Sequence, residues 1–587
     1  MSYQCEILLA RHSSGSSHLD HSSPPRVEKA KTARNHRAGS RASLVGMSRL
    51  GEEGPVEGSR KSGWIFLVLL VLILGGGLLG MQWLGNRGDK STAAMAKPPR
   101  LETPPTGAYL EGGRPTIDGP ARDVFFEALP AFVIALDRWG RDSASDPSQI
   151  RTDLQAERGA VMSGAHKAGM PEQATERLEA LLESCLTAAI ADEDEDEDEA
   201  DDAADAMQQR TLSLNDALAT AGLGFFVDAQ VLAGGGSRSV LLFTFEVHRV
   251  VLYRSGGHDV RTLRLRRLDN LNWTYSSLGF TSPQRRDAVV LDNKVEEHLL
   301  KLLPLLSDEV QLDPFNLPLE DTYTDWHTLT RNRAISVVAA ELGKAGPNVV
   351  ELATLIAQRH AIYDDWNERL ESRNMSIKRP KGLDVTWDYR RQMNGLVTHS
   401  AMDKLDSIQS ALTSKKMRQA FALTQDHFSQ SVERHEAQHR LDLAELYKLP
   451  MPEELAAYVG ELPDGYRGEG GMASRALAEM SAYLSELARD PLTPRTNLTL
   501  LARYLLNRDM WGMGESYAAL VIFEGLAAEL GLDHTPLVVR RQIDRAVVAQ
   551  LFMAFTDLDP DTLQDASMML WARYFETDLP VLELVAR

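Results

Sequence analysis

The stretch Ser431–Leu446 reads SVERHEAQHRLDLAEL, and inside it stands His435-Glu436-Ala437-Gln438-His439. Two imidazoles four positions apart lie on one side of a helix, one turn from each other, close enough to reach one ion. Glu436 is turned about 100° from His435, so it can flank such an ion without ligating it. This is the physical logic of H-E-x-x-H: two neutral nitrogen ligands, and a carboxylate beside the water that a metal would activate. The rival reading is three polar residues on an ordinary helix.

The surrounding pattern supports a helix. Met417, Ala420, Phe421, Thr424, Phe428, Val432, His435, His439 and Leu443 recur at steps of three and four, which predicts a helix over 417–443 with both histidines on its inward stripe. Burying two histidines and a glutamate unpaired is costly, so an inward-facing H-E-x-x-H needs a partner such as zinc. His427 shares the stripe. Eight residues place it about 12 Å along the axis from His435, too far to share a metal, so it is read as a packed or surface histidine.

With its His435, Glu436 and His439, the motif resembles that of the zincin metallopeptidases. The run His435–Asp442, HEAQHRLD, is similar in layout to the HExxHxxD of neprilysin-type enzymes. The match is confined to the motif helix and one downstream glutamate. The resemblance implies a Zn²⁺ cofactor and a third ligand from a later helix. In MASRALAEMSAYLSEL (472–487), Glu479 resembles the downstream glutamate of the gluzincin branch, the thermolysin and neprilysin relatives, with Glu486 as the alternative ligand and a plain Arg475–Glu479 ion pair as the rival reading. That branch commonly carries Asp four residues after this glutamate; Tyr483 stands there instead. Asp442 is placed behind the ligands, orienting a histidine through its other ring nitrogen.

Under this reading zinc activates water, and Glu436 takes the proton and returns it to the leaving amine. A donor for the oxyanion is also implied. Tyr483, Tyr504, Tyr517 and His534 are open for it, and Tyr483 is carried beside Glu436 as the catalytic pair. The edge strand that aligns peptides in zincins cannot be located around this helix.

Outward from the motif, 587 residues imply several domains. The chain is 43% hydrophobic and 25% charged, as globular proteins are. A net charge of −20 argues against a nucleic-acid partner, which calls for a basic face. Its two cysteines, Cys5 and Cys185, make neither a disulfide framework nor a thiolate metal site, so any metal must be held by His, Asp and Glu.

The expected fold class is α+β, mostly α: a single-pass membrane anchor, a small antiparallel α+β domain and a C-terminal, largely helical zincin-like domain. Residues 1–62 are expected as a disordered tail, with Met47 an alternative start, and 63–85 as a transmembrane helix. Within it Trp64–Leu84 is an uncharged run long enough to cross ~30 Å of hydrocarbon, with a tryptophan at each end. Arg60, Lys61, Arg87 and Lys90 flank both sides and do not orient it. The polar tail is placed in the cytoplasm and the body outside, periplasmic in a Gram-negative cell.

Residues 86–120, with six prolines, are expected as a tether. Residues 121–206 form a helical segment ending in the acidic run 191–206, read as a linker or loop because like charges repel. That run lacks the spaced oxygens and turn glycine of a calcium site. In the α+β domain, 207–305, GFFVDAQVL, SVLLFTFEVHRVVLY, DVRTLRLRRL and DAVVLD read as strands, with AGGGSR and SGGH as hairpin connections. His248, His258 and His298 there are read as surface or satisfied histidines. Residues 306–587 form the zincin-like domain, with helices expected over 401–448, 452–460, 473–489, 497–506, 514–530 and 537–556.

Two functions follow from this reading. One is a membrane-anchored zinc metallopeptidase cutting a protein or peptide. The other is an inactive zincin-like protein of the envelope that binds or assembles partners.

Overall fold

A computed structural model describes residues 119–586, apart from 142–145, 192–196, 235–236, 270, 272–276, 282–284, 308–312, 318–323, 372–374, 385–396, 446–448 and 461–470. From residue 119 onward they fall in one compact unit. It is mostly helical, with one six-stranded sheet and a two-residue hairpin among the described residues.

The longer helices are numbered in chain order. The N-terminal layer holds α1 (Leu129–Arg141), α2 (Gln155–Lys167), α3 (Glu172–Ile190) and α4 (Glu197–Thr220). Phe125, Phe132, Leu178 and Leu182 from this layer share a core with Phe225, Val240 and Leu242 of the sheet. Part of the acidic run read as a linker is helical, since α4 begins at Glu197.

The sheet is built from β1 (Phe225–Gly234), β2 (Ser237–Ser255), β3 (His258–Arg267), β4 (Gly279–Phe280) and β5 (Ala288–Leu291), in the order β1-β2-β3-β5-β4. The β2–β3 hairpin turns on Gly256 and Gly257, whose φ values of 53° and 84° suit a primed two-residue turn. A bulge between Val247 and Arg249 interrupts the β2–β3 register. Near the end of the chain, β8 (Glu583–Ala586) pairs with the far half of β2.

Two features of the expected fold class are corrected. The sheet is mixed: β3 and β5 run parallel, because β4 lies between them in sequence and at the edge in space. The single-pass anchor, with its cytoplasmic tail and its body outside the membrane, is also overturned. Among the described residues no helix is long and apolar enough to cross a membrane. The stretch Trp64–Leu84, on which that expectation rested, lies outside the described residues, as do the tail and nearly all of the tether. The long helices that are described carry charged side chains along their length, as in α4, and owe that length to packing within the protein.

Beyond the sheet come α5 (Asp292–Leu302), α6 (Asp325–Leu342), α7 (Val349–Glu371), α8 (His399–Leu412) and the motif helix α9 (Lys415–Glu445). Then follow α10 (Met472–Arg489), α11 (Pro494–Leu506), α12 (Gly514–Glu529), α13 (Arg545–Asp557) and α14 (Pro560–Phe575). The region expected as one helix over 537–556 opens instead with β6 (Val538–Val539) and β7 (Gln542–Ile543), joined through Arg540 and Arg541 at positive φ.

Helix α9 lies between the sheet and α10. Its second half is therefore buried nearly all round, including Glu433, Glu436, Gln438, Arg440 and Asp442. An apolar stripe describes only its first half. Its second half buries polar groups by pairing them. Arg264 of β3 donates to Asp292 at 2.7 Å and to Asp426 of α9 at 2.8 Å, and Tyr253 of β2 donates to Glu433 of α9 at 2.9 Å. These charge-assisted bonds fix the helix against the strands.

Candidate metal centre

His435 and His439 project from α9 toward α10, and their Nε2 atoms stand 3.0 Å apart. Glu479 comes from the second turn of α10, its Oε2 3.6 Å from His435 Nε2. The ligand atoms of His435, His439 and Glu479 all lie within 4.8 Å of one another. Four ligands held tetrahedrally at about 2.05 Å have edges of about 3.3 Å, between the two observed separations. The donor set of two imidazoles and a carboxylate, with a fourth position left for water, is that of an open zinc site.

Glu486 lies two turns beyond Glu479 on the same face of α10. Its Oε2 is 3.4 Å from His435 Nδ1, the ring nitrogen turned away from the other ligands. Thus the alternative ligand of the sequence reading sits behind the histidine. Asp442 is elsewhere: it is buried and accepts from Gln438 at 2.7 Å, and no described hydrogen bond joins it to either histidine. Arg475 pairs with Glu515 of α12 at 2.5 Å.

The Glu436 carboxylate meets the edge of the sheet. Thr281, next after β4, donates to Glu436 Oε2 at 2.9 Å. A Cβ on Gly279 would stand 2.6 Å from Glu436 Oε1 and 2.4 Å from the Val289 carbonyl, so only glycine lets the strand come this near. The sheet edge that lies beside Glu436 is β4. Its anchors are long-range. Arg285 bonds Asp228 and stacks over Phe280, Arg261 bonds Asp287, and Arg440 of α9 donates to the Arg286 carbonyl at 3.1 Å.

Burial pushes the Glu436 carboxyl up to about 7, against the opposing effects of His435 and the Thr281 hydrogen bond. Burial likewise raises Asp442 to about 7, and raises Glu486 against the pull of His435. For His435 burial acts downward, but Glu486 and Glu479 outweigh it and hold the imidazole well above 6.5. His439 is lowered to about 4 by burial and by the charge on His435. Buried carboxylates facing two imidazoles, one of which resists protonation, make a pocket suited to a cation.

Tyr483, one turn beyond Glu479, packs its ring 4.9 Å from that of His435 and donates to Tyr504 of α11 at 3.4 Å. Burial, then Tyr504 and Glu479, hold its phenol well above 10, so it stays a donor. Tyr517 packs against Trp511, and His534 is exposed beside the Thr535 carbonyl. Of the other histidines, His248 bonds Asp292 at 2.7 Å, His258 is exposed, and His298 is partly buried and stacked on Phe428.

Comparison with protein-family models, with curated proteins and with solved structures gives no match to this chain.

Proposed function

We propose that this chain is a zinc-dependent metallopeptidase of zincin type, acting on a protein or peptide substrate. The observation that supports the reading best is the convergence of His435, His439 and Glu479, with Glu436 held between those ligands and a sheet edge. Bound there, zinc supplies a Lewis acid that polarises a carbonyl and makes water a nucleophile near neutral pH.

Glu436 accepts the proton of the attacking water and passes it to the leaving amine, work suited to a carboxyl whose pKa is about 7. Thr281 holds that carboxylate in place through its hydroxyl. Tyr483, kept protonated and with its ring 4.9 Å from that of His435, would turn its hydroxyl from Tyr504 to donate to the developing oxyanion. The outer side of β4, which pairs with no strand among the described residues, offers backbone groups with which an extended peptide can pair.

The test uses the full chain. Wild-type protein purified without chelator should carry one zinc and cleave an unstructured protein. Glu436→Gln should keep the zinc and lose roughly 10²–10⁴ in rate. A wild-type chain that takes up no zinc, or a Glu436→Gln variant as active as wild type, would overturn the proposal.

A further inference from the structure

The side of His435 facing away from the zinc ligands is met by an oriented chain of buried polar groups. Asn497 of α11 places Nδ2 3.1 Å from Asp490 Oδ2. A carboxylate can only accept, so this contact fixes which end of the amide is NH₂. The other Nδ2 proton goes to Ser431 Oγ at 2.7 Å. Ser431 therefore spends its own proton on Glu486 Oε1, 3.1 Å away. That leaves Glu486 Oε2 facing His435 Nδ1 at 3.4 Å, where it can only accept.

Asn497 donates both to Asp490 and to Ser431, Ser431 donates on to Glu486, and Glu486, as a carboxylate, is the acceptor on which the chain and His435 Nδ1 converge. When a metal displaces the other proton, His435 would keep the one on Nδ1, facing Glu486, and present the lone pair of Nε2 on the side of His439 and Glu479. The far end is anchored as firmly. Asp490 Oδ2 also accepts from Thr493 Oγ1 at 2.6 Å, and the Asp490 carbonyl accepts from Gln564 of α14 at 2.7 Å. Glu486, Ser431, Asn497, Asp490 and Thr493 are all buried, so water does not compete for these bonds.

We propose that Glu486 is a positioning residue, not a ligand: through the relay Asn497–Ser431–Glu486 it sets the tautomer and ring orientation of His435 and so raises metal affinity. Helix α10 then contributes twice to one imidazole, with Glu479 beside Nε2 and Glu486 beside Nδ1. The inference rests on the zinc reading of His435, His439 and Glu479. It assigns to this chain a carboxylate seven residues after the downstream glutamate, where Tyr483 fills the position four residues after it.

The experiment measures zinc affinity of the full chain by competition with a chromophoric chelator, and the visible spectrum after cobalt(II) substitution. Proteins compared are wild type, Glu486→Gln, Ser431→Ala and Glu479→Ala. The amide in Glu486→Gln cannot accept from both Ser431 and His435, so its affinity should fall about 10–100-fold. Ser431→Ala should fall less, and both should keep a cobalt spectrum of wild-type shape. Metal-free melting should stay close to wild type, which separates positioning from a general packing role. Should Glu486→Gln fail to fold, Ser431→Ala carries the same test. Wild-type affinity in both variants would overturn the inference while leaving the zinc site standing. Loss of metal in Glu486→Gln as complete as in Glu479→Ala would make Glu486 a ligand and also overturn it. A wild-type chain that binds no zinc would remove the site reading itself, and the inference with it.

Discussion

Thr281 and Glu436 are 155 positions apart, yet the threonine hydroxyl lies 2.9 Å from Glu436 Oε2 and 3.2 Å from the Glu436 carbonyl. The bond ties the general base of the proposed reaction to the rim of the sheet. Thr281→Val keeps the shape and removes the donor. Peptidase turnover should then fall by about an order of magnitude with KM little changed, because a misplaced base affects the transition state more than binding. Thr281→Ser should recover most of the rate. Zinc affinity, measured in parallel, should be the same in all three proteins, and a fall in the valine variant would mean the hydroxyl serves the metal site instead.

Gly279 tests the same junction by size. A methyl there meets the Val289 carbonyl and the Glu436 carboxylate at under 3 Å, and neither can retreat, since one belongs to β5 and the other to a helix buried on both sides. Gly279→Ala should cost about 1–3 kcal/mol in urea unfolding, the usual range for overpacking. An unchanged midpoint would show that β4 is free to move away from α9.

Much of this junction could not be read along the chain, for a physical reason. Strand β4 is a Gly-Phe pair, too short to show alternation, and it exists only because β5 and α9 are beside it. The strands β1, β2, β3 and β5 are different: their β-branched and aromatic residues carry the pattern locally. The spacing of His435 and His439 likewise predicted a shared site from helix geometry alone. Spacing could not divide Glu479 from Glu486, because seven residues bring both to one face of α10, and only the packing of α9 shows which nitrogen each meets. In the 537–556 segment, the pair Arg540-Arg541 gave no sign of a turn that glycine or asparagine normally marks.

The ion pair beneath the motif helix should matter to folding more than its charge count suggests. Arg264 and Asp292 are both nearly inaccessible, with side-chain exposures of 3% and 0%. Asp292 is held below the usual carboxylate range: burial pushes it up, but His248 and Arg264 outweigh that. Asp292→Ala leaves the guanidinium buried with only its α9 partners and should destabilise the protein by about 3–5 kcal/mol. Replacing Arg264 and Asp292 together by apolar residues leaves Asp426 paired with Arg249 but deprives the buried Glu433 of its cation, so the double variant should be no more stable than Asp292→Ala yet more stable than the sum of the two singles. A double variant as unstable as the sum of its singles would mean that the two charges are not coupled.

Acid sensitivity should trace in part to His298. The ring stacks on Phe428 of α9 with centroids 5.5 Å apart, and its Nε2 has no hydrogen-bond partner among the described residues. Burial, with smaller contributions from Arg503 and Lys301, lowers its pKa to about 3, against 6.5 in the unfolded chain. Between those values the unfolded state binds a proton that the folded state refuses. Stability is therefore fully present above about pH 6.5 and falls as pH drops toward 3, by up to roughly 1.4 kcal/mol per unit from this group. His298→Leu removes the titration while keeping an apolar side chain. Urea midpoints followed from pH 7 to pH 5 should fall less steeply in the variant than in wild type. Parallel slopes would show that His298 opens to water before it charges, and that the acid response belongs to other groups.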